Sequence, residues 1–167
     1  SKDAPYGHGV EDKTADANIL AVRTCALARI NHALGDAFSI EHVYPSAMLE
    51  MECYKELLSL PGVYMLTFDN CRYEEDYRHR QVLITNQAWL AKASRDCSNV
   101  GQDKDHEHKV IGFDEDVRSE KVGPYSRELC RVWARLLKDF LEDPQKTRCP
   151  FCADAQGAPP KSGRAKH

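Results

Sequence analysis

The chain contains no apolar run long enough to span a bilayer, and its opening residues show no charged-then-apolar leader. It has no internal repeat, so a solenoid or propeller is excluded. It carries no strong charge of either sign. With 23 Lys and Arg against 26 Asp and Glu, the net charge of −3 gives no general attraction to a phosphate backbone. No Gly-rich phosphate loop and no complete catalytic signature are present. What remains is 167 residues with 42% hydrophobic content, enough for one ordinary domain with a buried core and no membrane partner.

Cysteine is abundant. The seven thiols are Cys25, Cys53, Cys71, Cys97, Cys130, Cys149 and Cys152. Their odd number and scattered placement do not resemble a disulfide framework, so we expect a reducing intracellular compartment, nuclear or cytoplasmic. Cys25, Cys53 and Cys130 lie in helix-like stretches and read as small buried hydrophobes.

The spacing of apolar residues predicts a domain over 16–143. A flexible segment precedes it (1–15), and a basic, disordered tail follows (144–167). The polar, Ser-initiated opening suggests a processed, tagged or excised piece. Asp16 caps a helix to Leu34, with Ile19, Leu20, Val22, Ala26, Leu27, Ile30 and Leu34 as its stripe and Gly35 as its stop. Ala37–Val43 reads as a strand, Pro45 opens a second helix, and Val63–Phe68 is a second strand. The connection between these strands is long enough for a helical crossover, which predicts a parallel pair. The short polar link Asp69–Tyr77 predicts that the third strand, Gln81–Thr85, runs antiparallel. The expected fold is therefore α/β, with a small mixed sheet of two parallel strands and one antiparallel strand flanked by helices. A last helix presents Leu129, Val132, Trp133, Leu136, Leu137 and Phe140 as an amphipathic face.

Each strand carries polar groups where a cleft would receive them: Glu41 in the first, Asp69 and Asn70 ending the second, Arg78 and Arg80 opening the third. A carboxylate and two guanidiniums at one sheet edge could read a planar base or an anionic substrate. Solvent-facing charges on an edge strand are the simpler alternative.

Metal-ligating residue types gather after the second strand. Cys71, Cys97, His106 and His108 would satisfy tetrahedral zinc and hold the long polar loop 94–110 in place. Cys149 and Cys152, spaced Cys-x-x-Cys, form a second candidate pair.

The run from Asn18 to Phe140 resembles the C-terminal half of a DNA cytosine-5 methyltransferase-like domain, of the diverged kind found in mobile-element or viral polyproteins. Ser39-Ile40-Glu41-His42-Val43, with Pro45-Ser46, resembles the strand that carries the base-contacting Glu. Tyr77-Arg78-His79-Arg80 before Val82-Leu83-Ile84-Thr85 resembles the Arg-rich motif and inserted strand. Leu83-Ile84-Thr85-Asn86 and His106-Glu107-His108 are similar to that group too. The resemblance implies a half-Rossmann fold and a substrate-reading role for Glu41, Arg78 and Arg80. The Pro-Cys nucleophile and the cofactor loop of that family have no counterpart here, so S-adenosylmethionine would bind only with a supplied N-terminal half. Such a domain would not be catalytic alone. It would hold nucleic acid or a partner at its sheet edge, the partner being an N-terminal half domain or a second copy. Two other readings stand beside it. One is a zinc-stabilised nucleic-acid-binding or scaffold module, its basic tail touching phosphates. The other is a metal-dependent hydrolase using His106, His108 and acids such as Asp105.

Overall fold

The structure is a computed structural model that describes residues 4–7, 12–75, 77, 79–97, 108 and 125–144. Arg78, His106, Cys149, Cys152, most of the loop 98–124 and the basic segment beyond 144 lie outside the described residues.

Helix α1 spans Asp12–Leu34. It ends where Gly35 adopts φ +79°. The Gly35 N–H then donates to His32 and the Asp36 N–H to Asn31, closing the orphan carbonyls of the last turn. Strand β1 (Ser39–Val43) follows, then a 3₁₀ turn (Ala47–Glu50) capped by the Ser46 hydroxyl, which accepts from the Met48 N–H. The regular helix expected to open at Pro45 begins later, as α2 (Glu52–Leu58). Strand β2 (Tyr64–Asp69), a 3₁₀ turn (Asn70–Tyr73), strand β3 (Arg80–Thr85) and a 3₁₀ turn (Ala88–Ala93) complete this part. Helix α3 (Arg127–Glu142) is capped by Ser126, whose hydroxyl accepts from the Leu129 N–H at 3.0 Å.

The sheet corrects the expected topology. Its order is β1-β3-β2 and both pairings are antiparallel. No parallel pair exists among the described residues, so the mixed sheet and the half-Rossmann arrangement are not what this chain builds. The crossover lets β1 and β2 run in the same direction, but β3 inserts between them.

The reason lies in β3 itself. Gln81 to Thr85 are all buried, and alternate side chains enter different cores. Val82 and Ile84 pack with Cys25, Ala28, Phe38, Met51, Tyr54 and Leu57. Leu83 packs with Phe68, Tyr73, Leu90, Ala93, Leu129, Val132 and Leu136. Helices α1 and α2 thus cover one face, while α3 and the 3₁₀ turn at Ala88–Ala93 cover the other.

Two finer expectations also change. Helix α1 turns its small residues Cys25 and Ala28 inward, while Ile19, Leu20, Val22, Leu27, Ile30 and Leu34 remain exposed. Close approach of the helix to the sheet favours the small side chains. Cys25 is buried and Cys53 half-buried as expected, but Cys130 is exposed.

The register yields a stability test. Ile84 and Met65 are paired across β2 and β3, yet Ile84 is 0% exposed and Met65 48%. Ile84→Ala should lose about 2–5 kcal/mol in urea unfolding. Met65→Ala should stay within about 0.5 kcal/mol of the native chain.

Candidate functional site

Register brings three chain ends together. Val43 pairs with Gln81 and Asp69 with Arg80, so the ends of β1 and β2 meet the start of β3. Two clusters of chemically active side chains sit there.

The first is made of Cys71, Cys97 and His108, whose ligand atoms all lie within 4.8 Å of one another. Cys71 and Cys97 are buried and His108 is half-buried. Cys97 Sγ lies 3.4 Å from His108 Nε2. For tetrahedral zinc with ordinary bond lengths, a sulfur and an imidazole nitrogen should be about 3.6 Å apart, so the spacing fits. Three of the four ligands expected from the sequence therefore come together, and the fourth, His106, lies outside the described residues. Cys149 and Cys152, the second candidate pair, lie there too.

The geometry behind this cluster depends on Asp69. Its carboxylate is 0% exposed. Arg80 donates to it from Nε at 3.2 Å and from Nη2 at 2.8 Å, and the Cys97 N–H donates to Oδ2 at 2.7 Å. Arg80 also reaches Asp96 at 3.3 Å. Hydrogen bonding to Asp69, the largest influence, holds the Arg80 guanidinium above its ordinary pKa. Arg80, expected to read substrate, is thus engaged as the counter-charge of a buried acid.

The second cluster is a cleft of about 370 Å³ lined by Glu41, His42, Val43, Asn70, His79, Gln81 and Tyr125. Glu41 lies in it as expected, with neighbours that its own stretch of sequence does not announce. Tyr125 donates to Glu41 Oε2 at 2.5 Å. Burial, then this bond to the carboxylate, pushes its phenol up to about 12, so it remains the donor at neutral pH. Gln81 satisfies its surroundings when its amide NH₂ donates to Glu41 Oε1 (2.8 Å) and the His42 carbonyl (3.0 Å). Its oxygen then faces His79 Nδ1 at 3.3 Å, which assigns the proton to that nitrogen. His42 Nδ1 lies 3.1 Å from the Val43 carbonyl, which can only accept. That contact assigns the Nδ1 proton of His42 and makes Nε2 its basic nitrogen.

Asn70 is 5% exposed, and its Oδ1 is a buried acceptor without a hydrogen-bond partner among the described residues. Such an orphan costs about 1–3 kcal/mol and calls for an explanation. Asn70 stood out in the sequence as a strand-end polar residue. His42 was notable only as part of the Ser39–Val43 run. His79, Gln81 and Tyr125 carried no local signal.

Comparison with known proteins returns no match to a family model, a curated protein or a solved structure. Among the described residues, no helix is long and apolar enough to cross a membrane.

Thiol reactivity should separate the cysteines. Burial, followed by the neighbouring Cys53, pushes the Cys25 thiol up to about 12, and its Sγ donates to the Cys53 carbonyl at 2.7 Å. Since the thiolate is the reactive form, iodoacetamide at pH 8 should label exposed Cys130 before the other described cysteines and spare Cys25 until the chain is denatured. Peptide mass spectrometry against time reads the order directly.

Proposed function

We propose that this domain is a zinc-stapled hydrolase, with Cys71, Cys97 and His108 forming the structural metal centre and the Glu41–His42 cleft the working site. His106, two residues before His108, is the proposed fourth zinc ligand. Two thiolates and imidazole nitrogen favour zinc over hard cations, and a closed four-ligand site is structural. This reading moves His108 out of catalysis and into the staple.

The observation that carries the proposal is the contact between His42 Nδ1 and the Val43 carbonyl, which selects the tautomer of the neutral imidazole. With Nδ1–H held by the Val43 carbonyl, Nε2 is the proton-accepting nitrogen of an exposed imidazole, and His42 and Glu41 are both among the residues that line the open cleft. His42 would take a proton from water as general base. Glu41, held by Tyr125 and Gln81, would orient that water or carry a hydrated divalent cation. Magnesium commonly binds through one or two carboxylates and keeps several waters, and such an ion would polarise the bond under attack. The Asn70 carbonyl oxygen is a hard acceptor on the same wall.

The substrate class we propose is a nucleic-acid phosphodiester. Attack by the activated water forms one P–O bond and breaks another, and the leaving alkoxide takes up a proton. Support for a polyanion comes from the sequence after Pro144, where Lys146, Arg148, Lys161, Arg164 and Lys166 supply phosphate contacts independent of base sequence. The methyltransferase reading placed recognition at the sheet edge through Glu41, Arg78 and Arg80. Engagement of that guanidinium with Asp69 and Asp96 lends it no support.

Elemental analysis should find one zinc per chain, and chelation should lower the melting temperature. The native chain should cleave a single- or double-stranded oligonucleotide in magnesium or manganese. His42→Ala and Glu41→Gln should each lower the rate by about 10²-fold or more, at unchanged zinc content. Cleavage that survives His42→Ala would sink the assignment of the base. A zinc-free chain that melts at the same temperature before and after chelation would sink the staple.

A further inference from the structure

Asp69, Asn70 and Cys71 are consecutive, yet they serve different sites. Cys71 is a ligand of the metal cluster and Asn70 lines the cleft. Asp69 points into neither. Its buried carboxylate instead fixes the backbone of Cys97, the other cysteine of the cluster. Two of the three are also tied across the fold: the Asp69 N–H donates to the Arg95 carbonyl at 2.9 Å, and the Asn70 N–H to the His79 carbonyl at 3.0 Å. One short segment therefore sets the spacing of both cysteines and the placement of two cleft residues, Asn70 and His79.

A buried carboxylate near two thiolates is electrostatically costly. The Arg80 fork neutralises it, leaving a divalent cation to balance the two sulfurs. Asp69 is thus suited to hold Cys97 in place without competing for the metal.

We infer that Asp69 is a positioning residue that couples the two sites: it sets the Cys71–Cys97–His108 metal centre through Cys97, and the metal-loaded centre in turn holds Asn70 in the cleft. The metal half of this inference rests on the zinc reading of the cluster, tested by elemental analysis, and the cleft half on the hydrolase reading as well.

The experiment uses the full chain with Asp69→Asn. A second variant, Asp69→Asn with Arg80→Gln, removes both charges and serves where the single change fails to fold. Zinc affinity is measured by competition with a chromophoric chelator, and ligand geometry by the visible bands of the cobalt-substituted protein. Outer-shell partners of metal ligands are worth about 10–100-fold in affinity, so zinc should bind that much more weakly and the cobalt bands should shift. Oligonucleotide cleavage should fall at limiting zinc and return at saturating zinc. A folded variant with native zinc affinity and native cobalt bands would overturn the inference. So would cleavage that stays lost at saturating zinc, since Asp69 would then act on the cleft without the metal centre. If the native chain cleaves nothing, the hydrolase reading falls, and the coupling is judged by whether zinc moves the Asn70 side-chain amide resonances. Resonances unmoved by zinc would overturn it.

Discussion

Everything in this fold follows from burial of β3 on both faces. A strand whose consecutive residues Val82, Leu83 and Ile84 all leave water must have a layer above and a layer below. Helices α1 and α2 form one layer and α3 the other, which leaves the strand's backbone to be paired on both sides. β1 and β2 take those two places, and both become edges. With β3 running against each of them, the finishing ends of β1 and β2 must lie beside its start. The polar residues at those three ends therefore converge: Glu41 and His42, Asp69 to Cys71, and His79 to Gln81. The site is a consequence of the topology.

That convergence shows what the sequence could disclose. Residue types pointed to the cluster, because Cys and His are the usual zinc ligands, and three of the four expected residues lie close enough together to hold an ion. The sheet was harder to foresee. Crossover length constrains the direction of β1 relative to β2, but it says nothing about which strand lies next to which. The missing clue was the contrast between an unbroken Val-Leu-Ile run and the mixed Ser-Ile-Glu-His-Val of β1. The first marks a central strand and the second an edge. Helix α1 misled for another reason. Its apolar and polar residues are mixed around the helix without a clear face, so its largest side chains suggested a stripe that tight packing gives instead to Cys25 and Ala28.

The cleft was the least legible part. Glu41 could be named from its strand, but its partner Tyr125 is 84 positions away and reaches it only because α3 packs on the sheet. Arg80 shows the converse. A guanidinium at a strand start looks available for substrate until the pairing places Asp69 directly opposite. Local pattern names charged residues, but tertiary pairing decides which of them are consumed by the fold.

The two clusters also differ in chemical hardness, and that difference allows them to coexist a residue apart. Thiolates bind zinc far more strongly than magnesium, whereas carboxylate and amide oxygens suit a hydrated hard cation. Cys71 and Cys97 are buried, which suits a metal that stays, while His42 and Glu41 line an open cleft, which suits ligands that exchange. A donor set that mixed the two kinds would let zinc compete for the cleft. Separation by a single peptide step, with Asp69 and Arg80 neutralising each other behind the cysteines, keeps the structural charge out of the cleft. Half-buried Glu41 and exposed His42 of β1 are left among the residues that line the cleft.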